Sequence, residues 1–154
     1  MKKAVLLAAV TALSTGCATI VNDSAQPIKV ETRSESGQTI TGASCTLTND
    51  FGSFSGKSGE VVSVHRSSKD LDITCKHPSN PDATARAVSR ANAGLAGNIL
   101  IGGGIGAIID HTKGTAYTYP TWLQLVFGKT LVFDRSGEKD GAPVAGIEPQ
   151  TTVK

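Results

Sequence analysis

The sequence predicts a mainly β fold: a small antiparallel β-sandwich that carries one Gly-rich helical segment. Three observations predict it. Apolar and polar residues alternate in several short runs, the period-2 signature of strands with one buried face. Clusters of Gly, Pro, Asn, Asp and Ser separate those runs at near-regular spacing. Hydrophobic residues make up 39% of the 154 residues but aromatics only 5%, so the core is expected to be built from Val, Ile, Leu and Ala. A chain of this length holds one domain.

The elements follow in chain order. Residues 26–32 alternate Ile28 and Val30 with polar neighbours and give a first strand. Residues 34–37 are turn material. Residues 39–48 hold a strand with Ala43, Cys45 and Leu47 on one face, and 49–52 turn it. The Ser/Gly-rich run 54–59 is expected to be a loop. Residues 60–65 form a strand with Val62 and Val64 inward, and 66–69 turn. Residues 70–76 place Leu71, Ile73 and Cys75 on one face, with Asp70, Asp72, Thr74 and Lys76 opposite. Two prolines make 77–82 a loop. Residues 86–90 read as strand or helix start. Beyond the Gly-rich run 93–109, Leu123, Leu125 and Phe127 alternate in a further strand, and 130–133 can supply the last one. From Arg135 onward Gly, Pro and charges dominate and periodicity is lost, so 135–154 is expected to be a disordered tail.

Charge excludes one class of partner. The chain has 15 Lys and Arg against 13 Asp and Glu, and setting aside Lys2 and Lys3 leaves 13 of each. A near-neutral domain lacks the basic surface that displaces counterions from nucleic acid.

Cys45 and Cys75 both point inward from period-2 strands. In an exported chain such a pair most often forms a disulfide. Closing a loop of about 31 residues would stabilise by roughly 3–4 kcal/mol in the chain-entropy model. Two buried free thiols are the alternative. A metal site finds only His65 and His77 as nearby extra ligands and no close Cys pair.

The N-terminus bears on location. Lys2 and Lys3 precede an apolar run from Ala4 to Leu13, which is too short to span a bilayer as a helix. Small residues then lead to Gly16 and Cys17. This arrangement resembles the bacterial lipobox, with Ser14 at the usual Leu position and Leu13 one residue further back. The resemblance implies a signal peptide at 1–16, acylation of Cys17, and membrane association through N-terminal acyl chains that contribute roughly 0.8 kcal/mol per buried CH₂. An ordinary secretory signal cut nearby is the alternative. Ala18 follows Cys17 where an Asp would retain a lipoprotein at the inner membrane, so the sorting rule this resembles implies the outer membrane of a diderm cell. Residues 17–25 then form a lipidated linker, and 26–134 the sandwich domain.

Residues 26–77 resemble PEGA-like domains, small extracytoplasmic β-sandwiches. The resemblance rests on Gly42 and Ala43 opening a strand, a Gly-rich loop, and a hairpin that ends in Leu71-x-Ile73-x-Cys75. Residues 16–22 are also similar to the opening of many small, uncharacterised bacterial lipoproteins. Neither resemblance carries a catalytic residue.

Residues 93–109 contain no charge. Gly102 and Gly106 lie four apart, as do Gly103 and Ala107, a spacing at which helices form a groove for another backbone. One reading makes Gly97, Gly102, Gly103, Gly104 and Gly106 a membrane or oligomer contact, with Tyr117, Tyr119 and Trp122 as an interfacial belt. The other is a buried or bent helix on the sandwich, because Gly costs about 1 kcal/mol per helical position relative to Ala.

Other motifs fail. Residues 52–58 approach a phosphate-binding loop, but Phe51 stands where the spacing requires Gly. Gly102, Gly104 and Ala107 match a dinucleotide fingerprint by letters alone, without a βαβ unit. His65, His77 and His111 are the candidates for acid–base work, yet each reads as a surface or strand residue. The expectation is a non-enzymatic, lipid-anchored envelope module that needs no cofactor or metal and binds an envelope protein or itself. Its rivals are an oligomer joined through the glycine tract and an envelope hydrolase.

Overall fold

A computed structural model describes residues 24–91 and 116–149. The chain forms β1 (Ala25–Arg33), β2 (Thr39–Ile40), β3 (Ser44–Asn49), β4 (Gly52–Lys57), β5 (Val61–His65), β6 (Leu71–His77), β7 (Asn80–Ala87), β8 (Arg90–Ala91), β9 (Tyr117–Thr118), β10 (Trp122–Val126) and β11 (Thr130–Phe133). One short 3₁₀ turn follows at Arg135–Gly137. The smaller sheet centres on β1, with β10 along one side and β5 and then β2 along the other. The larger sheet runs β11-β7-β6-β3-β4, and β8 pairs with β9 as a separate ribbon.

Alternation decides which face each strand buries. Ile28, Val30 and Thr32 of β1 point inward, as do Val62 and Val64 of β5 and Leu123 and Leu125 of β10. Against them stand Cys45 and Leu47 of β3, Leu71, Ile73 and Cys75 of β6, three alanines of β7, and Leu131 and Phe133 of β11. The apolar side chains among these form one continuous core, the two-layer solution that buries one face of each sheet. Aliphatic residues dominate it as expected, although Tyr119 and Phe133 are its largest fully buried members.

The fold is mainly β and sandwich-like; the strand expected over 39–48 divides into β2 of one sheet and β3 of the other, and four further departures from the sequence reading stand out. First, two strand pairings are parallel, β1 with β10 and β7 with β11; the other pairings between the described strands are antiparallel. The chain passes from β10 to β11 through Phe127, Gly128 and Lys129, so consecutive strands lie in different sheets. Gly128 takes φ +81° there, a conformation that costs a Gly little. Second, the expected loop 54–59 is largely strand. Leu47 pairs with Phe54 and Cys45 with Gly56, and a methyl group on Gly56 would lie 2.6 Å from Val62 Cγ2. Gly56 is therefore a packing residue that lets β4 approach β5. Third, the two-proline loop shrinks to a tight turn at Pro78 and Ser79 between β6 and β7.

Fourth, the expected disordered tail is docked from Arg135 to Pro149. Val144 is 3% exposed within the core. Its amide donates to the Trp122 carbonyl, and Ile147 exchanges two backbone hydrogen bonds with Val132. The segment thereby covers the outer edges of β10 and β11, which would otherwise offer unpaired backbone groups. Residues 150–154 and the Gly-rich run 93–109, where the helical segment was expected, lie outside the described residues. No helix among the described residues is long and apolar enough to cross a membrane.

Candidate functional site

Cys45 and Cys75 face each other directly in the β3–β6 ladder and are joined as a disulfide, with Cα atoms 4.0 Å apart. Both are fully buried in the core, which gives the bridge a structural role. Cys17, Gly97, Gly102, Gly103, Gly104, Gly106 and His111 lie outside the described residues. His65 ends β5 and stacks on Phe51 with ring centroids 3.9 Å apart. His77 ends β6 and bonds Asn80 at 2.9 Å. These two histidines sit at opposite ends of the sandwich, so the fold does not bring them together. Asp72 is engaged by Arg86 Nε at 2.9 Å, and Asp70 accepts from the Ser89 amide. Among the described residues, no three His, Cys, Asp or Glu side chains cluster as a metal site would. The phosphate-loop look-alike at 52–58 is extended through β4 as far as Lys57 and forms no cradle.

Two surfaces stand out. The first is the end of the sandwich where β1 begins, called here the entry pole. Strand directions place there the start of β1, the end of β5, the β3–β4 turn, the start of β6, the end of β7, and the β8–β9 ribbon. The ribbon is the base from which residues 92–115 leave and to which they return. Gln26 fixes this arrangement. Its amide nitrogen donates to the Tyr119 carbonyl at 2.7 Å, and its amide oxygen accepts from the Tyr119 N–H at 3.0 Å. The Tyr119 hydroxyl donates to the Lys69 carbonyl at 2.7 Å and receives Asn49 Nδ2 at 3.2 Å. Burial pushes the Tyr119 phenol above its usual range. Arg90 of the ribbon grips the Asp134 carboxylate through both Nε and the terminal nitrogen. That contact, with the Ser136 amide, holds the Asp134 carboxyl well below the usual carboxylate range.

The second surface is the outer face of the larger sheet. Register aligns one hydroxyl from each strand in a single row: Ser55 beside Thr46, Thr46 beside Thr74, Thr74 beside Thr84, and Thr84 beside Thr130. The Thr84 and Thr130 hydroxyls bond at 2.7 Å. The next row outward carries the Asp72–Arg86 pair, with Ser53 and Thr48 bonded to each other at 3.0 Å. On the other side Lys76 pairs with Asp82 at 3.5 Å, and Lys57 donates to Ser44. Two shallow grooves of about 450 and 390 Å³ lie along this face, and both include Asp72 and Thr74.

Period-2 alternation pointed Thr74 outward, but the row was not legible as a unit. Its members span residues 46 to 130, and only the pairing register collects them. The entry pole was hidden for the same reason, because Gln26 and Tyr119 are 93 residues apart. Fold and surface together define a disulfide-tied, mixed β-sandwich with a hydroxyl row on one outer face. No protein-family model, curated protein or solved structure matches the chain.

Proposed function

We propose that the chain is a lipid-anchored module of the cell envelope, held through acylated Cys17 at the outer membrane, and that it binds or organises a partner there without chemistry of its own. The lipobox-like run ending at Cys17 and the buried Cys45–Cys75 bridge both support export. The observation that carries the reading is the entry pole. The N-terminal segment joins the sandwich at Ser24 and Ala25, the end from which residues 92–115 also depart. A chain extends at most about 3.5 Å per residue, so the steps from Cys17 to Ser24 keep this pole within roughly 25 Å of the anchor. The opposite pole and the sheet faces then remain available to an envelope partner.

Cys17→Ser tests the anchor. The variant is expected in the soluble fraction or as an uncleaved precursor, and unchanged membrane fractionation contradicts the proposal. The shared pole also favours a second reading, in which Gly97, Gly102, Gly103, Gly104 and Gly106 meet the bilayer or the same tract of another copy. Detergent-extracted particles heavier than one chain support this reading, and a monomer argues against self-association. The hydrolase reading gains nothing from the separated positions of His65 and His77.

A further inference from the structure

We infer that the free edge of β4 is a self-association surface, on which β4 of a second copy of this chain pairs antiparallel across a two-fold axis at Phe54. Hydrogen-bond phase shows which groups are free to pair. The Ser58 amide donates to the Ala43 carbonyl. In the same register Gly56 faces Cys45, Phe54 faces Leu47 and Gly52 faces Asn49. Backbone groups alternate in direction along an antiparallel strand, so those of Ser53 and Ser55 point away from β3. Among the described residues, nothing bonds them. The next outward pair, at Lys57, is closed by Glu60. Its carboxylate accepts from the Lys57 amide, and its own amide donates to the Lys57 carbonyl. About an axis at Phe54, Ser53 of each copy faces Ser55 of the other, and each such pair exchanges both of its N–H···O bonds.

Three observations make a copy of this strand the occupant. The chain covers the far side of the sandwich itself, because the segment after β11 docks on β10 and β11 through Val144 and Ile147. The edges of β4 and β5 carry no such cover among the described residues. Next, the run from Gly52 to Gly56 contains neither a charge nor a Pro, the devices that keep edges from pairing. Finally, the charges sit at the two ends: Asp50 precedes the strand and Lys57 closes it. The Lys57 ammonium donates to Ser44 and pairs with no carboxylate among the described residues. Antiparallel pairing about Phe54 brings the Lys57 end of each copy beside the Asp50 end of the other, whereas parallel pairing would set like charges together. Val61 of neighbouring β5 is 61% exposed on this same side, where Val62 lies against Gly56. A second sandwich alongside gives it cover. One strand pair is a small contact, so the dimer is weak.

The inference does not rest on the anchoring proposal, because the contact lies within the sandwich whatever the fate of Cys17. Sedimentation equilibrium of the full chain in detergent tests it. A monomer–dimer equilibrium with a Kd of about 1–100 μM is expected. A heavier particle alone would also follow from contact through the glycine tract, so paired substitutions decide between them. Ser53→Lys with Ser55→Lys sets like charges opposite each other across the axis and is expected to weaken the dimer at least about tenfold. Ser53→Glu with Ser55→Lys sets opposite charges there and is expected to keep or tighten it. All of these side chains stand on the exposed outer face, so Tm is expected to stay close to that of the parent. If either pair melts early, Ser55→Pro takes its place. It removes only an outward N–H, as edge strands tolerate, and is expected to weaken the dimer at least about tenfold. A chain that stays monomeric up to about 100 μM overturns the inference. So does a dimer that both charge pairs affect alike, or one that keeps full affinity in folded Ser55→Pro.

Discussion

At the scale of single residues, a few buried polar groups and one bridge specify the core more sharply than its aliphatic filling does. Gln26 satisfies both backbone groups of Tyr119 in a place where an unpaired group would cost about 1–3 kcal/mol. The Cys45–Cys75 bridge closes a sequence separation of 30, for which chain entropy gives roughly 3–4 kcal/mol. Cys45→Ala with Cys75→Ala is therefore expected to lower unfolding free energy by about that amount in urea, with the β signature retained; an unchanged midpoint would refute it. Asp134 supplies a pH signature. Folding lowers its pKa through Arg90 and the Ser136 amide, so folding favours its ionised form. The resulting stability is fully present above the unfolded value of about 4 and is lost as pH falls toward the folded value. Asp134→Asn should widen the gap from the parent chain at about pH 6 and narrow it at about pH 3 in denaturant titrations. A gap that does not change with pH would show that the carboxylate contributes no differential protonation.

At the scale of elements, the sequence was legible where alternation was strong and opaque where an element depends on what it covers. Strands β1, β3, β5, β6, β10 and β11 announce themselves through apolar residues two apart: Ile28 and Val30, Cys45 and Leu47, Val62 and Val64, Leu71 and Ile73, Leu123 and Leu125, Leu131 and Phe133. Strand β4 did not, because Ser53, Ser55 and Gly56 read as loop composition. Its conformation comes from the ladder with β3 and from the space Gly56 leaves for Val62. The C-terminal segment was missed for a related reason. Val144 and Ile147 are too sparse to show a period, and they are ordered by the open edges of β10 and β11. Gly146 fits there because a methyl group would lie 2.8 Å from the Phe133 ring. Truncation after Asp134 removes a buried Val144, for which burial alone contributes about 1.5–3 kcal/mol. It is expected to lower Tm by several degrees and raise aggregation through the uncovered edges. Unchanged melting would restore the tail to the disordered class.

At the scale of the whole molecule, the sequence led to the sandwich and the bridge, while the poles and faces emerged only with topology. Parallel pairing of β1 with β10 and of β7 with β11 brings late segments beside early ones. That pairing seats Tyr119 on Gln26 and sets Thr130 at the end of a row begun by Ser55. No local pattern encodes such relations. They give the molecule a division of labour under the anchoring proposal made above: one pole holds the start of β1 and the β8–β9 ribbon, and the hydroxyl row stands to the side. Location is the claim on which this division depends. Intact mass and peptide mapping of the native protein, extracted from envelopes without reduction, test it most directly. The account predicts a chain that begins at Cys17, carries diacylglycerol and acyl mass on that residue, and retains the Cys45–Cys75 link. A chain that begins at an unmodified Met1, with both core thiols reduced, would contradict it.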